Sequence, residues 1–283
     1  SDREDPAPAR GGPMTATGSL AGRTALVTGG LGGIGRAVAH ALAGQGVRLV
    51  LHDRALTADA DDLLAGLVSA GAPDVRLVCF DLADAASARS GFDAVARRDD
   101  VDILVCSAGI QRTAPLAAHS RETWDAVIAV NLSSVFDAMQ AFLPSMAERG
   151  YGRVVSIASV HGLVASVDKA PYVAAKHGLV GLTKAAALEY ATAGSEGSGG
   201  VTVNAVCPGW VRTDLIEPQV AALAVANGGD HEAAAADLLR LKQPSLRFTT
   251  PADVGALVCL LASPALHNLT GAAIPLDGGW VAA

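Results

Sequence analysis

TALVTGGLGGIG, residues 24–35, joins a short apolar run to a glycine-rich turn and then to the first residues of a helix. A buried strand that passes into a helix through such a turn is the opening unit of a parallel α/β sheet. The glycines follow the pattern T-G-x-x-x-G-x-G, with Gly29, Gly33 and Gly35 as its fixed points. Glycines there allow the backbone to approach a pyrophosphate, and the helix start supplies N–H groups and partial positive charge. The turn therefore predicts a dinucleotide site.

The rest of the chain alternates short apolar runs with longer helical stretches. Helical patterns such as Ile34–Gln45 and Trp124–Ala147 lie between the runs. Strands that are apolar throughout and separated by helices favour a parallel sheet that is covered on both faces. With right-handed crossovers this gives a doubly wound, Rossmann-type α/β fold. The predicted strands are Thr24–Thr28, Arg48–His52, Arg76–Cys79, Ile103–Cys106, Arg153–Ile157, Thr202–Val206 and Ala273–Pro275.

A single domain is expected over residues 19–283, preceded by a disordered tail. Residues 1–18 are charged and rich in proline and glycine, and they lack the apolar core of a signal peptide. Residues 214–250 interrupt the alternation with an alanine-rich helical segment, which a Gly-Gly-Asp sequence at 228–230 divides. An insertion after the carboxyl end of a strand lies where ligands bind in such sheets. We interpret it as a mobile lid over the substrate; the alternative is an element of packing or subunit contact.

The composition argues against several classes of function. The net charge is −7 and basic residues form no cluster, which argues against binding to nucleic acid. No uninterrupted apolar run approaches the roughly 18 residues that a membrane span needs. Hydrophobic residues make up 51% of the chain and charged residues only 17%, which suggests that other subunits cover part of the surface.

The cysteines are scattered through apolar runs, at Cys79, Cys106, Cys207 and Cys259. Their spacing to one another and to histidines matches no zinc motif, so no metal is expected. This pattern is typical of reduced, buried thiols in a cytoplasmic protein.

Asp53 ends the second predicted strand, 24 residues after Gly29. A carboxylate there can accept hydrogen bonds from both hydroxyls of an adenosine ribose and repel a 2′-phosphate, which favours NAD over NADP. The neighbouring Arg54 can soften this preference, since arginine accommodates the phosphate; a strand-end cap is the alternative role for Asp53. Asp81-Leu82 follows the third predicted strand and would border the adenine. Ser107-Ala108-Gly109 follows the fourth and would pass behind the adenosine half.

A second constellation lies in SIASVHGLVASVDKAPYVAAK, residues 156–176. Ser159 precedes Tyr172 by thirteen residues and Lys176 follows it by four, so the last two share one face of a helix. A phenol with a pKa of about 10 is a poor base at neutral pH, and a neighbouring ammonium lowers that pKa. Ser159 can hydrogen-bond the oxygen that changes between alcohol and carbonyl. Y-x-x-x-K alone arises often by chance, but the whole segment predicts proton transfer with an alcohol while a cofactor moves a hydride.

Together these motifs resemble the short-chain dehydrogenase/reductase family over nearly the whole ordered length. The resemblance implies a single Rossmann-type domain, usually in a homotetramer, and a Ser–Tyr–Lys centre that Asn131 extends to a tetrad. In the family this asparagine bends its helix and holds a water that links the lysine to solvent. One departure is Cys106-Ser107, where the family commonly has Asn-Asn; Ser107 can still hydrogen-bond, so we expect cofactor binding to survive. The matching residues are Thr28–Gly35, Asp81, Ala108, Gly109, Asn131, Ser159, Tyr172, Lys176, Pro208 and Gly209.

The resemblance also implies which residues bind the cofactor, NAD. Most of them follow the carboxyl ends of predicted strands, and two belong to the catalytic centre as well. The set is Gly29, Leu31, Gly33, Ile34, Gly35, Asp53, Asp81, Leu82, Ser107, Ala108, Gly109, Tyr172, Lys176, Pro208, Gly209, Val211 and Thr213.

Five local sequences are similar to a narrower group in the family, the soluble bacterial (R)-3-hydroxybutyrate dehydrogenases. They are SVHGLVAS (159–166), YVAAKHGLVGLTK (172–184), CPGWVRT (207–213), KQPS (242–245) and DGGW (277–280). In that group a polar cluster binds the substrate carboxylate and two tryptophans wall the small substrate. A four-carbon hydroxy acid offers few apolar contacts, so its carboxylate must supply most of the orientation. The implied substrate residues are Gln111, His161, Lys169, Gln219, Trp210 and Trp280, with Ser159 and Tyr172 at the reacting carbon.

This resemblance implies NAD-dependent interconversion of (R)-3-hydroxybutyrate and acetoacetate in the cytoplasm. The nearest alternative is a reductase of the same family for an acyl-thioester 3-keto substrate, a sugar or a polyol. Such enzymes need a wider mouth and often NADPH, which the carboxylate cluster and Asp53 argue against. A cofactor-binding protein without turnover is a third interpretation, although such proteins usually lose the tyrosine or the lysine. For His161 and Lys169 the alternatives are a structural histidine and a solvated lysine.

Overall fold

The computed structural model describes residues 19–195, 197–226 and 228–282, and the predicted tail over residues 1–18 lies outside this part of the chain. Within the described residues seven strands form one sheet in which all neighbours run parallel, in the order β3-β2-β1-β4-β5-β6-β7. The strands are β1 (Thr24–Thr28), β2 (Arg48–Asp53), β3 (Val75–Cys79), β4 (Ile103–Cys106), β5 (Tyr151–Ile157), β6 (Gly200–Pro208) and β7 (Ala273–Leu276). The prediction of a doubly wound, Rossmann-type sheet is confirmed.

Helices cover both faces of this sheet, and each face has its own apolar core. The helices are α1 (Gly33–Ala43), α2 (Ala60–Ser69), α3 (Ala85–Ala96), α4 (Arg121–Ile128), α5 (Ser134–Arg149), α6 (Ala170–Glu189), α7 (Glu217–Ala226), α8 (His231–Lys242) and α9 (Pro251–Ala262). Alternate residues of the strands pack against α1, α2 and α9 on one face and against α3, α5 and α6 on the other. Each strand therefore packs apolar side chains on both faces of the sheet, which explains why its sequence is apolar throughout.

The two outer strands differ from the inner ones. Every residue of β4 and β5 is buried, whereas β3 and β7 contain no fully buried residue. Cys106 and Cys207 are buried as predicted, but the prediction of burial is wrong for Cys79, which is exposed at the end of β3. An edge strand lacks one neighbour, so its apolar sequence does not guarantee burial.

The free edge of β7 carries a proline. The carbonyl oxygens of Ala272 and Leu276 accept hydrogen bonds from N–H groups of Ala205 and Gly209, at 2.8 and 3.0 Å. Because backbone groups alternate in direction along a strand, Pro275 faces away from β6. Proline has no backbone N–H, so this outer position presents no donor.

The helical run Arg121–Arg149 is long and apolar enough to cross a membrane by length and composition, with a mean hydropathy of 1.5 over its most apolar 18 residues. Half of that window is buried inside the protein. Val135, Met139, Phe142 and Met146 of this run pack into the core beneath the sheet. These contacts are typical of a helix in a protein core. A core helix can have the same length and hydropathy as a membrane span, so these two properties are only weak evidence for a span.

Residues 214–250 form two helices, α7 and α8, and the predicted glycine break lies between them. Asp230 caps α8 by accepting a hydrogen bond from the N–H of Ala233 at 2.9 Å. Apolar residues of both helices pack together with Trp210 and Trp280, and so form a third small core. The segment thus rests on two residues of the predicted substrate wall, and its mobility stays a prediction.

The start of α9 is held by a capping box. Thr250 Oγ1 accepts from the N–H of Asp253 at 3.1 Å, and Asp253 Oδ2 accepts from the N–H of Thr250 at 2.8 Å. We expect Thr250→Ala to lower the free energy of unfolding by about 1 kcal/mol, because the N–H of Asp253 loses its side-chain acceptor at the start of the helix. Urea unfolding followed by circular dichroism measures this change. Thr250→Ser keeps the hydroxyl and should stay close to wild type; an equal loss in both variants would contradict the capping role.

Candidate active site

The predicted site residues gather along one edge of the sheet, where the strands end. The ends of β1, β2, β3, β4 and β6, with the turns and helix starts that follow them, supply the predicted cofactor residues other than Tyr172 and Lys176, which lie on α6. The turn after β5 supplies Ser159. All strands are parallel, so their carboxyl ends meet at this edge and leave a crevice between the crossovers.

The turn after β1 brings two backbones into close approach. Gly29 has φ +66°, and a Cβ there would lie 2.8 Å from Cα of Ala108, so a larger residue does not fit. On the other side of this contact the N–H groups of Ser107 and Ala108 donate to Thr28 Oγ1 at 3.1 and 3.2 Å. The hydroxyl of Thr28 therefore fixes the turn after β4 against the glycine turn.

The first turn of α1 leaves its N–H groups free of side-chain partners, because Gly32 occupies the N-cap position. Nearby, the carboxylate of Asp53 accepts from the N–H of Leu31 at 3.1 Å and from that of Arg54 at 2.8 Å. The backbone thus holds the Asp53 carboxylate at the mouth of the glycine turn. The uncapped helix start suits a phosphate, and the oriented carboxylate of Asp53 beside it suits the hydroxyls of a ribose.

Asp81 and Leu82 lie in the turn after β3. The N–H of Asp81 donates to Ser87 Oγ at 3.0 Å, and its carboxylate accepts from the N–H of Ala83 at 2.8 Å. Leu82 is buried in the core. Asp81 therefore stabilises the turn in which it lies, independently of any ligand.

Asn131 lies in a π-helical turn, Ala129–Ser133, that separates α4 from α5. Its side-chain amide donates to the carbonyl oxygens of Ile110 and Val127 at 2.8 and 2.9 Å and accepts from the N–H of Ile110 at 3.1 Å. A Cβ on Gly109 would lie 2.7 Å from Asn131 Oδ1 and 3.8 Å from Lys176 Nζ. The predicted local distortion of the helix is thus present, and it places Asn131 beside the lysine. Such π turns are frequent at functional sites.

Tyr172 and Lys176 are both buried on α6. Nζ of Lys176 donates to the carbonyl oxygen of Ile157 at 2.8 Å and lies 5.5 Å from the centroid of the Tyr172 ring. Burial raises the pKa of Tyr172 to about 12, against a smaller lowering by a hydrogen bond from Ser159, and burial lowers the pKa of Lys176 to about 8. The expectation that Lys176 brings the Tyr172 pKa toward neutrality is therefore not met in the chain by itself.

Ser159 and His161 are joined in a short tight turn after β5. Ser159 Oγ accepts from the N–H of His161 at 3.2 Å and lies 3.3 Å from Nδ1 of the same residue. Nε2 of His161 lies 2.9 Å from Ser166 Oγ. The imidazole is buried, and burial together with the charge of Lys169 lowers its pKa to about 3. His161 is consequently neutral at ordinary pH, with a serine at each ring nitrogen.

Lys169 is only 6% exposed, and within the described residues no carboxylate pairs with it. Its Nζ lies 4.6 Å from the centroid of the Trp210 ring, and burial lowers its pKa to about 8. The Trp210 ring lies 5.4 Å from that of Trp280, which in turn lies 5.6 Å from His161. Gln219 Nε2 is buried, and in the described part of the chain it has no hydrogen-bond partner.

A cleft joins most of these groups. Of the predicted residues, Lys169 and Gln219 do not line it, although Lys169 lies against the ring of Trp210, which does. The adenosine-side residues lie further along the edge. The predicted residues that line it are Ile34, Ser107, Gly109, Gln111, Ser159, His161, Tyr172, Lys176, Pro208, Gly209, Trp210, Val211, Thr213 and Trp280. Leu215 and Ile216 also line the cleft, and sequence reasoning missed them. The sequence signal that could have identified these two residues is their position at the start of the predicted lid.

Comparison with known proteins gives a consistent result. A family model described as short chain dehydrogenase matches residues 23–223. The D-beta-hydroxybutyrate dehydrogenase of Cupriavidus necator is 45% identical over 267 residues, which cover 93% of this chain and 99% of that protein. The enzyme of the same name from Rhizobium meliloti is 38% identical and covers 92% and 99%. A solved structure described as an NAD(P) dependent gluconate 5-dehydrogenase from Beutenbergia cavernae, with NADP bound at low occupancy, has a TM-score of 0.81 at 37% identity and covers 94% of this chain and 99% of that one.

Proposed function

This chain belongs to the short chain dehydrogenase family and is an oxidoreductase, and on that premise we propose that it interconverts (R)-3-hydroxybutyrate and acetoacetate with NAD. The observation that carries the choice of substrate is Lys169, which is only 6% exposed, lies against the cleft-lining Trp210 and has no carboxylate partner among the described residues. A buried charge without a partner is costly, and an anionic ligand removes that cost.

Three side chains recognise the substrate carboxylate in this proposal. Lys169 provides the charge, and the amides of Gln111 and Gln219 provide directed hydrogen bonds. The unpartnered Nε2 of Gln219 supports this role, because buried amide donors usually have an acceptor. Trp210 and Trp280 close the apolar side of the small substrate.

The residues present fit a nicotinamide dinucleotide, and the family together with an NADP-bound relative indicates this cofactor class. The close backbone approach at Gly29 and the uncapped start of α1 support a pyrophosphate there. Asp53 would hold the adenosine ribose, which supports NAD as the coenzyme. When bound, an oxidised nicotinamide supplies a hydride acceptor and a positive charge.

Tyr172 acts as the general base in the direction of oxidation and as the general acid in reduction. Its pKa of about 12 must fall before the phenolate forms, and positive charge near the ring lowers it. Lys176, which Ile157 holds 5.5 Å from the ring, does not by itself bring this pKa to neutrality, and a bound oxidised coenzyme would add positive charge at the same place. Ser159 donates a hydrogen bond to the substrate oxygen as it becomes a carbonyl. Residues 214–250 close over the cleft, where Leu215 and Ile216 exclude water.

Oxidation of separate (R)- and (S)-3-hydroxybutyrate, each with NAD⁺ and with NADP⁺, tests the proposal by the appearance of reduced coenzyme. We expect turnover with the (R) acid and NAD⁺ only. Protein that binds NADH but oxidises neither acid would disprove the substrate assignment while leaving the cofactor site intact.

Asp53→Asn tests the choice of coenzyme. We expect the ratio of kcat/KM for NADP⁺ over NAD⁺ to rise at least about tenfold, because a carboxylate repels the 2′-phosphate and an amide does not. The measurement is initial-rate kinetics with both coenzymes. Asp62→Asn, on the exposed face of α2, is the matched control and should leave the ratio unchanged. An unchanged ratio in Asp53→Asn would argue that Asp53 only orders the turn at Leu31.

A second candidate is a dehydrogenase for a sugar acid such as gluconate. The observation that favours it is the structural likeness to the Beutenbergia cavernae protein and the NADP bound there. Gluconate oxidation with either coenzyme, run beside the assay above, decides between the two. The small, tryptophan-walled cleft supports the four-carbon acid.

The proposal includes a homotetramer in the cytoplasm. A groove between α5 and α6 is lined mostly by apolar residues, among them Met139, Leu143, Leu182 and Phe136, and Phe136 is 49% exposed. Exposed apolar faces of this kind support contact with further subunits. The four cysteines are free thiols, which supports a reducing compartment.

A further inference from the structure

One buried side chain connects the carboxyl end of residues 214–250 to the wall of the cleft. Gln243 directly follows α8 and is only 1% exposed. Its Oε1 accepts from the backbone N–H of Trp210 at 2.9 Å, and its Nε2 donates to the backbone carbonyl oxygen of Arg247. A backbone N–H can only donate and a backbone carbonyl can only accept, so these two partners fix the orientation of the amide.

Two glycines leave the space in which this side chain lies. A Cβ on Gly209 would lie 2.6 Å from Oε1 of Gln243, and a Cβ on Gly278 would lie 2.8 Å from its Cγ. Neither position therefore accepts a larger residue unless Gln243 moves. The three residues belong to separate sequence motifs, CPGWVRT, KQPS and DGGW. Their close packing is a physical reason for these motifs to occur together in one chain.

Thr249 holds the other side of the same tryptophan. Its N–H donates to the carbonyl oxygen of Trp210 at 2.9 Å, so both backbone groups of Trp210 are bonded to residues 243–249. The backbone held in this way places the indole ring 5.4 Å from that of Trp280 and 4.6 Å from Nζ of Lys169. The position of one wall of the cleft therefore depends on the end of the lid segment.

We infer that Gln243 is a positioning residue that limits the length of the acid in the cleft, because its amide fixes Trp210 as one wall of the substrate site. Without the amide, the buried N–H of Trp210 has no acceptor, and the turn that carries the indole is free to shift. A wall that shifts admits a longer acid and discriminates less against an added methylene. This inference rests on the proposed function for the kind of substrate, whereas the attachment of Trp210 is a property of the chain itself.

Gln243→Leu keeps the approximate volume of the side chain and removes both hydrogen bonds. It is compared with wild type by kcat/KM for (R)-3-hydroxybutyrate and for (R)-3-hydroxypentanoate, which is one methylene longer. We expect the ratio for the longer over the shorter acid to rise about tenfold, since a fitted apolar pocket discriminates at least that strongly against one methylene. A ratio of two substrates on one preparation does not depend on the fraction of active enzyme, so a loss of stability alone leaves it unchanged.

Ser245→Ala is the matched control in the same turn. Its backbone N–H keeps the hydrogen bond to the carbonyl oxygen of Gly278 at 2.9 Å, and its side chain does not bond to Trp210. The ratio for the two acids should therefore stay at the wild-type value.

A second measurement does not depend on turnover. Two indoles whose centroids lie 5.4 Å apart couple in the ultraviolet and give a circular dichroism couplet, which appears in the difference between a protein and its Trp280→Phe variant. We expect Gln243→Leu to lose this couplet and Ser245→Ala to keep it. If Gln243→Leu does not fold, Gln243→Asn makes the same two tests with a milder change, because its amide ends one carbon short of both partners.

Other outcomes overturn the inference. An unchanged ratio in Gln243→Leu, with kcat/KM lowered equally for both acids or not at all, would assign Gln243 to folding alone. A retained couplet would show that the amide does not hold Trp210, whatever the kinetics show. If the wild type oxidises neither acid, the proposed function fails, and the couplet still decides whether Gln243 positions the wall, so the two failures are distinguishable.

Discussion

Tyr172→Phe is expected to lower kcat by about a thousandfold or more while the affinity for NADH changes little, since a positioned general base contributes roughly this much. In the proposed mechanism the phenol oxygen takes the substrate proton, and phenylalanine keeps the ring that packs against Val127 and Ala175. The substitution therefore removes the proton acceptor without opening a cavity.

The measurement combines steady-state turnover with NADH fluorescence titration. Tyr190→Phe, at the end of α6 and outside the cleft, is the matched control and should retain wild-type turnover. Retained activity in Tyr172→Phe would remove Tyr172 from the mechanism. Loss of NADH binding in the same variant would show instead that the residue serves the cofactor site.

Lys169→Ala is expected to lower kcat/KM for (R)-3-hydroxybutyrate roughly a hundredfold or more, mostly through KM, since truncating one partner of a buried charge pair costs this much. Because Lys169 is only 6% exposed and has no carboxylate partner in the described structure, its removal should not lower the melting temperature. Oxidation of 2-butanol, which lacks the carboxylate, should be affected far less. A normal KM for the acid would dismiss the carboxylate role of Lys169.

The same lysine gives the wild-type enzyme a particular pH dependence. Burial lowers the pKa of Lys169 to about 8, so the cationic form, which binds the carboxylate in our proposal, prevails below that pH. KM for the acid should therefore be flat below about pH 8 and rise about tenfold per pH unit above it. Lys169→Ala should lose this rise, whereas Lys184→Ala, exposed on α6, should keep it. A rise that persists in Lys169→Ala would transfer the dependence to Lys176, whose pKa is also lowered to about 8.

The sequence was sufficient for the sheet because its signals are local. Apolar runs separated by helical patterns placed each inner strand to within two residues of its observed bounds, and the glycine turn placed the cofactor edge. The spacing of Ser159, Tyr172 and Lys176 brought these residues to one cleft for the same reason, since a helix and a strand end fix their relative positions.

The features that could not be predicted depend on neighbours remote in sequence. Cys79 is exposed because β3 lies at the edge of the sheet and has no outer neighbour. The apolar sequence of β3 does not reveal that it is an edge strand. The pKa of Tyr172 is dominated by burial, a property of the assembled core rather than of the i+4 lysine. The Ser166 contact depends on the path of a turn and on one side-chain rotamer, so the pattern SVHGLVAS gave no sign of it.

Pro275 makes the two edges of the sheet unequal toward other chains. A strand that tried to add to β7 would find no N–H at this outer position, so the sheet ends there. The β3 edge has no such block along Val75–Cys79 and ends in an exposed thiol. Unwanted strand pairing during overexpression or refolding should therefore start at β3, and a proline or an added charge there is the change that would improve recovery of soluble protein.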